Sequence, residues 1–223
     1  MPRLSRRAEQ LPASPIRRLV PYADAAKKRG IHVHHLNIGQ PDVPTPTEMI
    51  QAYQRYDETV LAYGPSLGLP EMRAAVASDY TKRGLPIEPE HVTTCFGGSE
   101  AVTFAFAAVT DPGDEILVPE PFYANYAGFA AMLGAVVKPV AASAHDGFHL
   151  PSDAALDAAV GPRTRAFAFC SPGNPTGTVY TPEEMARIAR FAQRHDLMII
   201  SDEVYRDFAY DGVKVTSALE LSG

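Results

Sequence analysis

The feature that most constrains this chain is a regular alternation that sets in near residue 91. Short apolar runs at His91–Phe96, Glu115–Val118, Val136–Val140, Arg165–Cys170 and Leu197–Ser201 read as strands. Helical stretches fall between them: Ser99–Val109, Tyr123–Leu133, Ser152–Ala159 and, opened by the capping-box spacing Thr181-Pro182-Glu183-Glu184, a helix to about His195. Strand–helix alternation predicts βαβ units, a mostly parallel sheet and helices on both faces, a three-layer α/β/α domain. Ala166-Phe167-Ala168-Phe169 and Ile199-Ile200 lack polar alternation, as strands covered on both sides do. The helix Ala101–Val109 is apolar all round and is expected to be buried.

Ahead of this region the pattern is looser. Residues 1–13 read as a polar, mobile arm. Ser14-Pro15 opens a helix that runs to Arg29 and is closed by Gly30. His32–Leu36 reads as a short strand, Asn37–Pro46 as a Gly/Pro loop, and Thr47–Tyr56 and Leu69–Arg83 as helices. Residues 1–45 are expected to form an arm and helix belonging to a small domain, and 46–223 a large domain. Ala218–Gly223 looks like the start or middle of an element, so the large domain is expected to continue past Gly223 and a C-terminal small domain to be missing.

A net charge of −6 argues against a general nucleic-acid binder. The longest apolar run, around Gly128–Val137, falls short of the roughly 18 residues that span a membrane. No apolar stretch follows Arg3, Arg6 and Arg7, so a secretory leader is not expected and a cytoplasmic location is. Cys95 and Cys170 are too few for a disulfide framework or a metal site and are expected to be buried free thiols.

Ligands of open parallel sheets bind at the carboxyl ends of the strands. Four segments fall there. Gly97-Gly98-Ser99 precedes a helix whose first N–H groups suit a phosphate, though a tight turn without a ligand fits equally. Phe122, Tyr123 and Tyr126 after the second strand suit either a stacked ring or core packing. Ser171-Pro172-Gly173-Asn174-Pro175-Thr176-Gly177 is a rigid loop presenting an amide, which is both donor and acceptor. Asp202 ends an apolar strand, where a carboxylate is costly unless paired; helix capping or a surface ion pair is the plain alternative. Together they are the parts needed to hold a phosphorylated pyridine ring whose nitrogen stays protonated.

Asn37-Ile38-Gly39-Gln40-Pro41-Asp42, Tyr63-Gly64-Pro65, Gly68-Leu69-Pro70-Glu71-Met72-Arg73, Gly97-Gly98-Ser99-Glu100-Ala101, Asn174-Pro175-Thr176-Gly177 and Ser201-Asp202-Glu203-Val204-Tyr205 resemble the class I/II aminotransferases, pyridoxal-phosphate enzymes of fold type I, in register from about residue 14. The resemblance implies transfer of an amino group between an amino acid and a 2-oxo acid. It implies that Asp202 pairs with the pyridine nitrogen. Tyr205 and Asn174 would bond the ring's phenolic oxygen, and Asn174 the substrate carboxylate as well. Tyr123 would stack on the ring, and the turn Gly97-Gly98-Ser99 would cradle the phosphate. Gly39 would lie beside the substrate carboxylate, and Tyr63 would reach the phosphate held by a neighbouring subunit, which implies a homodimer. The lysine that carries the cofactor and the arginine that clamps the substrate would lie beyond Gly223. Lys27, Lys28, Lys82, Lys138 and Lys214 lack the expected context, so this portion alone is expected to be inactive. A lyase or synthase of the same fold is an alternative, as is the non-catalytic half of a regulator. A plain nucleotide-binding domain is not, because no Walker or G-x-G-x-x-G segment is present.

Overall fold

The structure, a computed structural model, describes residues 2–11 and 16–221. In chain order its helices and strands are α1 (Arg6–Gln10), α2 (Val20–Lys28), α3 (Thr47–Gln54), α4 (Pro70–Lys82), α5 (Gly98–Val109), β1 (Glu115–Glu120), α6 (Asn125–Leu133), β2 (Val136–Ala141), α7 (Asp153–Ala159), β3 (Thr164–Cys170), α8 (Pro182–His195) and β4 (Met198–Asp202).

The sheet is parallel throughout, in the order β2-β1-β3-β4. The chain steps from β1 outward to β2, then crosses back over β1 to β3. That reversal opens a crevice at the carboxyl ends of β1 and β3. Strand residues alternate between two cores. Leu117, Phe167 and Phe169 join Leu156 of α7 and Met185, Ile188 and Phe191 of α8 on one face. Ile116, Val118, Ala166 and Ala168 join Val102 and Phe106 of α5 and Tyr126 and Ala130 of α6 on the other. In β3 large side chains face α8 and alanines face α5 and α6, so an unbroken apolar run serves two differently shaped packings.

Local signals position the helices. Thr181 and Glu184 form the expected reciprocal capping box of α8. The Ser152 hydroxyl accepts from the Ala155 amide at the start of α7. Gly68 has φ +102°, and a Cβ there would sit 1.9 Å from Thr94 Oγ1, so only glycine lets the 67–69 turn lie against residue 94.

Four expectations change. His91–Phe96 is not a strand: Pro89–His91 forms a 3-10 turn, and Thr94 N bonds Leu67 O instead of a ladder. His32–Leu36 is also irregular. Both runs carry strand propensity, but neither has a strand beside it among the described residues to satisfy its backbone. The arm holds α1, N-capped by Ser5 and tied to α6 by Arg7, which donates to Met132 O at 3.2 Å. Helix α5 buries only Val102 and Phe106, while Phe104 on its other side is 56% exposed. The helix opening at Ser14-Pro15 lies outside the described residues; a 3-10 turn, Arg17–Leu19, leads into α2. The outer edge of β4 has no pairing strand among the described residues.

Candidate active site

A cavity of about 210 Å³ opens where β3, β4, α5 and α6 meet; Gly98, Ser99, Tyr123, Asn174, Asp202 and Tyr205 line it, with Val102, Tyr126, Phe129, Cys170 and Val204. Four segments at strand ends bring six of the expected residues to one place.

The Gly97-Gly98 turn ends at α5. Gly97 has φ +90° and caps the helix, a conformation that favours glycine. A Cβ at Gly97 or Gly98 would meet nothing within 4 Å, so the space in front of the helix N-terminus is open. Glu100 accepts from the Phe96 amide at 2.7 Å, which fixes the entry of the turn.

Asp202 stands opposite Cys170 across the parallel ladder, and its carbonyl accepts from Ser171 N. Its carboxylate takes two donors: Tyr126 Oη at 2.5 Å on Oδ2 and the Val204 amide at 3.2 Å on Oδ1. Asn174 Nδ2 donates to Tyr205 Oη at 3.1 Å, so the amide and the phenol converge. Asn125 Nδ2 donates to Tyr123 Oη at 2.7 Å and steadies that ring at the cavity wall. The loops after β1 and β3 contain cis peptide bonds at Glu120-Pro121, Ser171-Pro172 and Asn174-Pro175.

The cysteines are free, and both are partly exposed rather than buried. Cys170 reaches the cavity because it ends β3, where the helices no longer cover the sheet. Its pKa is pushed up to about 12 by burial and then by the Asp202 charge, so it stays a protonated thiol, donating to Pro172 O. Among the described residues no group of three His, Cys, Asp or Glu could hold a metal ion, and no helix is long and apolar enough to cross a membrane.

Gly39 and Tyr63 do not line this cavity. Both lie in the exposed stretch before α4; Tyr63 is fully exposed, and a Cβ on Gly39 would meet nothing within 4 Å. Sequence reasoning passed over Tyr126 as a partner of Asp202. The available signal was its spacing of three from Tyr123 in a stretch expected to be helical, although Tyr123 lies ahead of α6.

Residues 31–222 match the family model for aminotransferases of class I and II. The aspartate/prephenate aminotransferase of Thermus thermophilus is 34% identical over 94% of this chain and 54% of its own length. The LL-diaminopimelate aminotransferase of Desulforudis audaxviator is 36% identical over 95% of this chain and 57% of its own length. A solved structure of a Thermus thermophilus aspartate aminotransferase mutant superposes with a TM-score of 0.89 at 34% identity, covering 97% of this chain and 57% of that one. The chain belongs to the class I/II aminotransferase family and has its α/β fold with a parallel sheet. It spans a little over half the length of these relatives.

Proposed function

We propose that this chain is the cofactor-holding portion of a pyridoxal-phosphate-dependent aminotransferase, and that the complete protein moves an amino group between an amino acid and a 2-oxo acid. One observation carries the reading: the Asp202 carboxylate shares a single cavity with Tyr123, Asn174, Tyr205 and the open N-terminus of α5. The donor set fits a phosphorylated pyridine, with an acceptor for a ring N–H, an amide and a phenol for a ring oxygen, an aromatic wall, and free backbone amides in an unobstructed turn.

Pyridoxal phosphate, when bound, supplies an electron sink for negative charge at the α-carbon of an amino acid. In this reading Asp202 holds the proton on the ring nitrogen. Tyr205 and Asn174 direct the ring oxygen, and Asn174 also meets the substrate carboxylate. Tyr123 covers a ring face. Amides of Gly98 and Ser99, after Gly97, hold the phosphate at the positive end of α5.

We further read the complete protein as a homodimer in which Tyr63 serves the site of a second copy and Gly39 lies beside the substrate carboxylate, with residues 1–45 part of a small domain and 46–223 an incomplete large one. The exposure of Tyr63 and the lack of buried side chains between residues 16 and 69 support this. Free thiols at Cys95 and Cys170 support a reducing, cytoplasmic setting.

The test is Asp202→Ala in the complete protein, with amino donor consumed and 2-oxo acid formed measured together. Turnover should fall by orders of magnitude; unchanged turnover sinks the assignment. Stoichiometric exchange of amino group for oxo group separates a transferase from a lyase.

A further inference from the structure

Tyr126 is a core residue with one polar atom, and that atom touches the acid of the cavity. The ring is 2% exposed, edge-on to Phe106 at 6.0 Å, stacked with Phe122 at 6.4 Å and edge-on to Tyr123 at 5.6 Å between centroids. Four aromatic rings therefore fix one another and the place of the Tyr126 hydroxyl oxygen. A buried phenol needs a partner, and a backbone carbonyl is the ordinary choice. Here the partner is Asp202 Oδ2, 76 positions away.

The Asp202 backbone is set by its pairing with Cys170 and by Ser171 N on its carbonyl. Those contacts do not set the last side-chain torsion, which is broad for an aspartate. The Val204 amide restrains one oxygen from two residues away, at 3.2 Å. The shorter bond from Tyr126 restrains the other, and it comes from a different helix. Burial, and next the Asp202 carboxylate, push the Tyr126 pKa far above the usual phenol range, so it remains a donor at any working pH.

We propose that Tyr126 is a positioning residue for Asp202: its hydroxyl fixes the rotation of the carboxylate, which keeps one acceptor face turned to the cavity for a protonated ring nitrogen. The same ring bears on Tyr123, so one side chain supports both the acid and the aromatic wall. The inference rests on reading Asp202 as the partner of that nitrogen.

The test compares the binding of pyridoxamine phosphate with that of its analogue in which carbon replaces the ring nitrogen, by calorimetry on the complete protein. The unsubstituted protein should prefer the nitrogen ring. Tyr126→Phe keeps the ring contacts and loses only the hydroxyl; it should cut that preference roughly tenfold and leave analogue binding unchanged. Asp202→Asn should abolish the preference, and Tyr126→Phe on that background should add nothing. Phe106→Leu is the packing control, which should lower the melting temperature without moving the preference. If Tyr126→Phe weakens both ligands alike, Tyr126 only packs, and the proposal is overturned. If it leaves the preference intact while Asp202→Asn abolishes it, the proposal falls and the reading of Asp202 stands. If Asp202→Asn itself leaves the preference intact, both fall.

Discussion

Residues 115–202 and residues 16–69 both carry many apolar side chains and end in opposite conditions. The first stretch holds four paired strands and two cores, with Phe167 and Ile188 fully buried. The second holds α2 and α3, and neither has a buried residue. Tyr22, Leu36, Val43, Tyr53 and Leu61 are all more than 70% exposed. Local signals alone shape the second stretch: Pro21 in the first turn of α2, Pro46 ahead of α3. Caps and propensity can draw a helix, but burial makes it stable. An apolar segment that buries nothing in its own chain has surface suited to another.

The largest test of this contrast is Phe167→Ala, which should destabilise the chain by about 3–5 kcal/mol through loss of packing in the first core. Urea unfolding reads it directly. Next is Thr181→Ala at the α8 capping box, expected to cost about 1 kcal/mol. Acid weakens the same box. Burial alone would raise the pKa of Glu184, but donation from Thr181 N, Leu150 N and His149 outweighs it and holds the carboxyl below its ordinary 4.5. A depressed folded pKa means the stabilisation is complete above the unfolded value and is lost as pH falls through the folded one. Chain stability should therefore decline as pH drops below about 4.5. The smallest effect belongs to Tyr53→Ala, which should change stability by less than about 0.5 kcal/mol in this chain. A cost near that of Phe167→Ala would erase the contrast. Hydrogen exchange sharpens it: amides of α2 and α3 should exchange far faster than those of β1 and β3 in this chain, and slow down in the complete protein.

How far the sequence could be read follows the same division. Where a segment finds its partners nearby, its pattern was sufficient. The turn residues and caps gave β1–β4 and α6–α8 to within a few positions, because each helix packs on the strands that flank it. His91–Phe96 and His32–Leu36 have strand composition, yet a strand is a property of a pair, and composition says nothing of a missing neighbour. The all-apolar α5 failed for the same reason: its sequence shows what it would bury, not whether a cover is present. That Asp202, Asn174, Tyr205, Tyr123, Gly98 and Ser99 would line one cavity was legible because strand ends collect loops in one place. Tyr126 was hidden because a tyrosine in an aromatic cluster looks like packing, and its polar role depends on a contact 76 residues away. Gly39 and Tyr63 stay apart from the cavity, in the exposed stretch before α4.

The bare outer side of β4 has a practical consequence. Along Met198-Ile199-Ile200 the backbone groups that face away from β3 have no strand partner among the described residues, and they lie beside apolar side chains, with Met198 58% exposed. Such a row is a template for any other extended backbone. Two copies of this chain at high concentration therefore have a ready way to stick edge to edge, and the first sign would be precipitation that rises steeply with protein concentration. A lysine at Met198, pointing a charge along that row, is the simplest remedy for handling the chain on its own.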